Sequence, residues 1–520
     1  MMDKVNLAVL WLLGLLVIGL LYAANIYLGN LNQDEGWYLY TARLLAGGQV
    51  PYRDFAYTQG PVMAGVYALV DPLVARFGLL AGRIFTGLLG LGAISAGAAL
   101  AGKLSPAGWK PFAIISCVFL TGINVYQGYY FTVVKTYSLA ALFLMTGLLF
   151  FVRAARTGGI GAAIGAGLFL ALASGVRMST GIVLVPCGLY LVFTYKRIGH
   201  AAWLSFGLAG ILTLVGLFLP FYLVAPEGWI FGMFEYHSQR QAAEGLMHWL
   251  VKGGFISRLV QAYLIGFVLL IILFFTGARR AKRDGLRLTL WASLILVTLV
   301  HLSAHFPYED YQVVLYPLFG ALLSSGLARV LARDEATHWK RLIPAIFFFA
   351  CTASAFSSPI NQDWMVIGRD RIWWPIKDQP DLVKLQETAG KIRVYAPGGG
   401  ILFTQDAYLA VEANMQLPEN MAMGIFSYYP EWERERAERV HVMNRAMLHE
   451  ALSRTNAAVA AFSEFSFSIQ CPEIIELSRG EQQELWTRLE ERYELQDLVE
   501  HFGHGHTRLK IFTPIKQAKP

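Results

Sequence analysis

Asp34 and Glu35 stand side by side in Leu31-Asn32-Gln33-Asp34-Glu35-Gly36-Trp37-Tyr38, just past an apolar run covering residues 6 to 29. Ionised groups at a membrane surface are costly unless they are used or paired. A general base must come within hydrogen-bond reach of its proton and have a pKa that its surroundings can tune. Two neighbouring carboxylates can divide such work, one taking the proton and the other orienting a hydroxyl or a cation. Trp37, Tyr38 and Tyr40 overhang the pair and lower the local polarity. An aspartate ahead of a helix also caps free amide groups, so the spacing by itself leaves both catalysis and capping open.

A second cluster lies late in the chain, where His301 and His305 are four residues apart and Glu309 and Asp310 follow. On a helix that spacing puts both imidazoles on one face, a geometry that suits a divalent metal if Glu35 or His237 joins from another loop. Hydrogen bonding to neighbouring helices or to a sugar is the plainer reading of the same residues. Pro397-Gly398-Gly399-Gly400 resembles a phosphate-cradling loop only superficially. Neither a Gly-x-Gly-x-x-Gly pattern nor a Walker lysine follows, and the segment reads as a turn.

The elements that must position these groups are membrane helices. Of the 520 residues, 55% are hydrophobic and 15% charged, and the apolar residues arrive in runs near twenty long. A helix needs roughly 20 residues to cross about 30 Å of hydrocarbon. Spans are expected at residues 6–29, 80–101, 110–130, 134–152, 159–174, 178–195, 201–225, 257–277, 287–305, 311–331 and 341–357, about eleven in all. The first run is read as an uncleaved helix, because it is long for a secretory signal and no small-residue cleavage site follows.

The net charge of +7 would suggest a nucleic-acid partner in a soluble protein, but here the basic residues gather in alternate short loops. Those loops carry Lys103 and Lys110, Arg153 and Arg156, Lys196 and Arg197, Arg279 to Arg287, and Arg333 to Arg341. They are read as cytoplasmic, which leaves nucleic acid without a role and the bilayer as the partner. The N-terminus is then inside, and an odd number of spans places Asp34, Glu35 and the tail outside. The expected location is the plasma (inner) membrane. Three of the four cysteines, Cys117, Cys187 and Cys351, lie within apolar runs, so no disulfide framework is expected.

The expected fold is therefore mainly α, a polytopic helical membrane domain over residues 1–357 with a small α/β extracytoplasmic domain over 358–520. Outer loops 30–79 and 226–256 are long enough to cover an active site, and Val62 to Phe77 suits the membrane interface. In the tail, Lys391 to Tyr395, Gly400 to Thr404 and Ala457 to Phe462 read as strands, and Glu431 to Arg454 and Arg479 to Tyr493 as helices. Thr404 to Tyr408 and Met423 to Pro430 carry aromatic and polar residues that suit packing onto the membrane domain or binding a sugar or peptide.

The Asp34-Glu35-Gly36-Trp37-Tyr38 segment, with Pro51-Tyr52-Arg53-Asp54-Phe55, Gly60-Pro61 and Arg83, resembles the first outer loop of GT-C class integral membrane glycosyltransferases. The protein O-mannosyltransferase and aminoarabinose transferase group, and bacterial enzymes using polyprenyl-phosphate sugars, are the nearest in kind. The resemblance implies an inverting transferase that moves a sugar from a polyprenyl-phosphate donor to a hydroxyl on a glycan, lipid or protein at the outer face. In that group Asp34 would be the base, and Glu35 would position the acceptor or, in members needing one, a divalent metal.

Where relatives place another acid in the next outer loop, this chain has Val134-Lys135-Thr136-Tyr137. Lys135 is expected to contact the donor phosphate instead, stabilising the charge that develops there. Arg53, Arg83, Arg177 and Arg240 all lie near outer boundaries, where a guanidinium grips phosphate in bidentate fashion or snorkels. Arg240 and Arg83 are preferred as phosphate ligands beside Lys135. Tyr38, His237, His305, Glu309 and Tyr311 are expected to line the acceptor cavity, and Glu35, His301 and His305 are the metal candidates. A transporter or flippase for a lipid-linked sugar is the alternative reading, but there is no clear internal repeat and the charges cluster near one face.

Overall fold

The computed structural model describes residues 4–276, 284–333, 342–357, 379–454 and 456–515. Each of the eleven apolar runs is helical over most of its described length. Five helices are long and apolar enough to cross a bilayer alone: Ala8–Leu28, Leu79–Leu104, Thr136–Thr157, His200–Val224 and Gly285–Ser303. Shorter apolar helices, among them Ile160–Val176 and Ile343–Ala355, pack beside them. Lipid offers no hydrophobic drive between helices, so close backbone approach at small residues does much of the packing. At Gly167 an added Cβ would lie 2.3 Å from the Phe206 carbonyl oxygen, so the helices Ile160–Val176 and His200–Val224 meet almost backbone to backbone.

The run at 257–277 is not one straight span. Residues 257–262 belong to the helix Gly245–Ala262, which meets Leu264–Phe275 at an 89° bend. Tyr263 sits at the corner with its ring stacked on Tyr316 at 3.8 Å and its hydroxyl donating to Gln127 Oε1 at 2.9 Å. Tertiary anchoring of that one residue redirects a run whose hydropathy is continuous. The basic loop segment 279–283, Lys340, Arg341 and the expected domain boundary at 357/358 lie outside the described residues.

The loop between the first two long helices, residues 30–79, is mostly helical. It opens with α2, Gln33–Ala46, which follows α1, Lys4–Leu28. A capping box starts α2: Asn32 Oδ1 accepts from the Asp34 amide at 3.1 Å, and the Asn32 amide donates to Glu35 Oε2 at 3.0 Å. Capping therefore falls to Asn32 and Glu35, and the Asp34 side chain in the first turn is left for other contacts. The Val62 to Phe77 stretch forms two short helices, Pro61–Ala68 and Asp71–Phe77, with Leu69, Leu73 and Phe77 facing outward.

The C-terminal residues build a four-stranded sheet in the order β1-β2-β6-β5 from β1 Leu402–Phe403, β2 Val459–Ser463, β5 Tyr493–Phe502 and β6 Thr507–Pro514. Strands β3 Ile469–Gln470 and β4 Ile475–Glu476 form a separate hairpin. Here the local pattern misleads in places. Lys391 to Tyr395 is not a strand but the end of the helix Asp381–Tyr395, whose buried Leu382, Leu385, Ala389 and Ile392 follow a helical period. Glu431 to Arg454 is two helices, Arg434–Arg439 and Arg445–Ser453, divided at His441, which has φ of 61°, and recapped by Asn444. The last helix ends at Glu490, and the edge strand β5 that follows is exposed along most of its length and carries Glu494, Asp497 and Glu500.

Candidate active site

One cavity of about 940 Å3 lies where the helical bundle meets the C-terminal domain. Stretches of the helical bundle and its loops reach it, among them the start of α2, the Lys135 to Tyr137 segment, Arg177 at the end of Ile160–Val176, and the segments 236–241 and 300–311. Residues of the C-terminal domain, including Phe426, Phe465, Glu476 and His504, close the opposite wall.

Asp34 faces this space with both carboxylate oxygens engaged. Oδ1 accepts from Trp37 Nε1 at 3.2 Å, and Oδ2 lies 3.1 Å from Lys135 Nζ. Lys135 reaches in turn to Asp310 Oδ2 at 3.3 Å, which also accepts from the Tyr137 hydroxyl at 2.8 Å. Asp310 Oδ1 is buried with no hydrogen-bond partner among the described residues. The second acid that the sequence lacks in the Lys135 loop thus arrives from a segment 175 residues away. Asp310 lines the cavity, whereas its neighbour Glu309 turns away to pair with Arg258 at 3.5 Å. Residues 309–314 form a 3-10 helix, in which adjacent side chains point in different directions, and the cavity role expected of Glu309 falls to Asp310.

Two arginines face the same cavity. The Arg177 guanidinium lies over the Tyr311 ring at 4.4 Å and the Tyr137 ring at 5.0 Å, and NH1 donates to Thr136 Oγ1 at 3.2 Å. Arg240 lies over Tyr236 at 5.3 Å and reaches the Tyr311 hydroxyl at 3.4 Å. Neither forms an ion pair among the described residues, and the Nε of each is buried without a hydrogen-bond partner. Aromatic faces hold both cations in place while leaving their charge uncompensated. Arg177 has no sequence signature beyond a helix end near an outer boundary; its stacking on Tyr137 and Tyr311 exists only in the fold.

Glu35 and Arg83 were expected at the site and are instead locked together beneath it. Arg83 Nε and NH2 donate to Glu35 Oε1 and Oε2 at 2.8 and 2.7 Å, with both side chains fully buried. The remaining guanidinium donors go to the Ile26, Gly29 and Asn30 carbonyls, and Glu35 also accepts from the Asn32 and Val134 amides. With its donors so engaged, Arg83 has no free fork for a phosphate, and Glu35 has no free lone pair for a metal or an acceptor. The pair ties the end of α1, the start of α2 and the Val134 loop into one frame. Arg53 stands apart and exposed, paired with its neighbour Asp54 at 2.7 Å.

The histidines do not assemble as a metal centre. His301 Nδ1 accepts from Gln312 Nε2 at 3.1 Å, and Nε2 meets Ser179 Oγ at 2.8 Å, so both ring nitrogens are used. The helix carrying His301 ends at Ser303, which puts His305 past the last turn and removes the shared face that four-residue spacing implies. Among the described residues no group of three His, Cys, Asp or Glu side chains is arranged to hold a metal ion. His237 Nε2 donates to the Thr58 carbonyl at 2.9 Å. Its partial removal from water, and then the adjacent Arg240, lower its pKa to about 4, so it is a neutral cavity group at pH 7. Tyr38 lines the cavity, stacked on Trp37 at 3.8 Å; burial and then Asp34 raise its pKa well above the usual phenol range and keep it a neutral hydrogen-bonding group. His305 and Tyr311 line the same space.

The architecture defines a GT-C type fold in an integral membrane protein. ArnT from Cupriavidus metallidurans bound to undecaprenyl phosphate superposes with a TM-score of 0.62 at 15% identity, covering 100% of both chains. The apo state of the same protein gives 0.60 at 15% identity over 98% of each chain. An oligosaccharyltransferase from Archaeoglobus fulgidus, tethered to an acceptor peptide, gives 0.47 at 10% identity over 97% of this chain and 74% of its own. No protein-family model and no curated protein matches the sequence.

Proposed function

We propose that the protein is an inverting glycosyltransferase that takes a sugar from a polyprenyl-phosphate donor and attaches it to an acceptor hydroxyl. The observation that carries this reading is the pairing, within one cavity, of two uncompensated guanidinium groups with the Asp34, Lys135 and Asp310 cluster. A carboxylate able to take a proton and cations able to hold an anionic leaving group are the two halves of a direct displacement. The shared fold with a protein that binds undecaprenyl phosphate supports a lipid phosphate as the anion.

In this reading Asp34 accepts the hydroxyl proton while the acceptor oxygen attacks the anomeric carbon. The bond from that carbon to the phosphate oxygen breaks, and the lipid phosphate leaves with the electron pair. Arg177 and Arg240 hold the phosphate, their planar forks matching its oxygens. Lys135 adds a third positive charge, kept in place by Asp310. Glu35 and Arg83 act one step back by fixing the start of α2. We further propose the N-terminus inside, the site and tail outside, and a division near 357/358, in keeping with the basic loops.

Transfer of radiolabelled sugar from polyprenyl phosphate in native membranes tests the reading. Asp34→Asn is expected to abolish transfer while undecaprenyl phosphate still binds. Undiminished transfer by that variant would sink the assignment of the base.

A further inference from the structure

The bundle secures α2 through Glu35, but much of its remaining surface is held by the C-terminal domain. The peptide just ahead of the capping residue is gripped from both sides: the Leu31 amide donates to Asp381 Oδ2 at 3.1 Å, and His504 Nδ1 lies 3.3 Å from the Leu31 carbonyl oxygen. Asp381 is buried, and His506 Nε2 stands 3.5 Å from the same Oδ2. Further along α2, the Tyr40 hydroxyl accepts from the Leu417 amide at 2.8 Å, and Arg43 donates to the Val411 carbonyl at 3.2 Å. Between these points a Cβ at Gly36 would lie 2.0 Å from the Tyr408 amide nitrogen, so helix and domain touch at the backbone.

Leu31 is three residues before Asp34, and Asn32, the residue between this grip and the helix, caps the Asp34 amide. The Leu31 peptide is therefore joined through Asn32 to the turn that carries the Asp34 carboxylate, which faces Lys135 at 3.1 Å. Arg177 and Arg240, proposed to face the phosphate, belong to the end of Ile160–Val176 and to the segment 236–241. The domain also touches the segment carrying Arg240, where the Gln241 amide donates to the Glu473 carbonyl at 3.1 Å and Arg436 pairs with Glu235 at 3.3 Å, but it does so through residues other than Asp381 and His504.

We propose that the C-terminal domain sets the position of Asp34, with Asp381 and His504 as positioning residues that clamp the Leu31 peptide. The proposal rests on Asp34 being the base, and it gives the domain a part in the chemistry distinct from substrate binding. Asp381 acts here as a hydrogen-bond acceptor, which an asparagine carbonyl reproduces and an alanine does not.

The test uses the full-length protein and the variants Asp381→Ala, Asp381→Asn and His504→Ala. Amide exchange is read by mass spectrometry over residues 30–36, undecaprenyl phosphate binding on purified protein, and sugar transfer in native membranes. Misplacing a reacting group by about 1 Å costs on the order of 100-fold. Asp381→Ala is expected to exchange faster at Leu31 and to lose transfer by about 10- to 100-fold, with lipid-phosphate affinity within about twofold of wild type. Asp381→Asn restores most of the transfer. His504→Ala, which leaves the Asp381 contact in place, gives the same pattern more weakly and stands in if Asp381→Ala does not fold. Wild-type transfer despite faster exchange, or unchanged exchange, overturns the proposal, as does an asparagine variant no better than alanine. If Asp34→Asn keeps its transfer, the base assignment fails instead, and the exchange measurement at Leu31 still reports the clamp by itself.

Discussion

Replacing Arg177 by alanine removes a guanidinium that has no carboxylate partner among the described residues, so the change strands no buried negative charge. The folded protein loses one hydrogen bond, to Thr136 Oγ1, and the stacking on Tyr137 and Tyr311. The bound state loses more. Hydrogen bonds to charged groups contribute about 1.5 to 3 kcal/mol each. One such contact to the lipid phosphate corresponds to a dissociation constant about 10- to 150-fold weaker. Arg177→Lys keeps the charge but not the flat fork stacked on two rings, and is expected to fall between alanine and wild type. Titration of purified protein with undecaprenyl phosphate measures the affinity, and a melting curve shows whether stability has been spared. An alanine variant that melts like wild type and binds within about twofold of it refutes the assignment of Arg177 to the phosphate.

The Glu35 and Arg83 pair should behave in the opposite way. Removing one partner of a buried ion pair costs about 3 to 5 kcal/mol, so Arg83→Ala is expected to reduce the yield of folded protein in detergent sharply, and Glu35→Ala likewise. An Arg83→Ala protein of normal yield and melting temperature contradicts this. Asp310→Asn weakens the hold on Lys135 and is expected to lower transfer more than lipid-phosphate binding, measured side by side; a loss confined to binding argues against it. Asp406, buried beneath the Tyr408 hydroxyl at 2.8 Å, has its pKa raised above 3.8 by burial. The unfolded chain releases this proton at lower pH than the folded one, so the contribution of Asp406 to stability is complete below pH 3.8 and is lost as pH rises through the folded pKa. Melting temperature should fall less between pH 4.5 and pH 8 in Asp406→Asn than in wild type, and equal slopes in the two proteins count against the argument.

Much of the candidate site was legible as residue types but not as roles. Asp34 stood out because an acid beside an apolar run is locally conspicuous, and it does face the cavity. Whether it capped a helix could not be read from that stretch, since Asn32, Asp34 and Glu35 are all capable acceptors within one turn. Glu309 and Asp310 are adjacent acids with nothing local to separate them, and the 3-10 turn sends only the second into the cavity. His301 and His305 show the converse, a suggestive spacing cancelled by a helix that stops at Ser303. In the tail, Lys391 to Tyr395 has the residue types of a strand and the burial period of a helix that began ten residues earlier, at Asp381.

Hydropathy and helix-start chemistry are local, and so the amino-acid sequence by itself determined the membrane bundle, the presence of a separate tail and the position of an acid at the opening of α2. Which charges remain free was decided only by tertiary structure, because pairing depends on distance in space. Glu35 is neutralised by a partner 48 residues away, and Lys135 is bridged to an acid 175 residues away. Arg177 and Arg240 have no carboxylate partner among the described residues because the fold surrounds them with tyrosines. Burial makes an unpaired charge costly, and those two uncompensated cations are the feature on which the proposed anion rests.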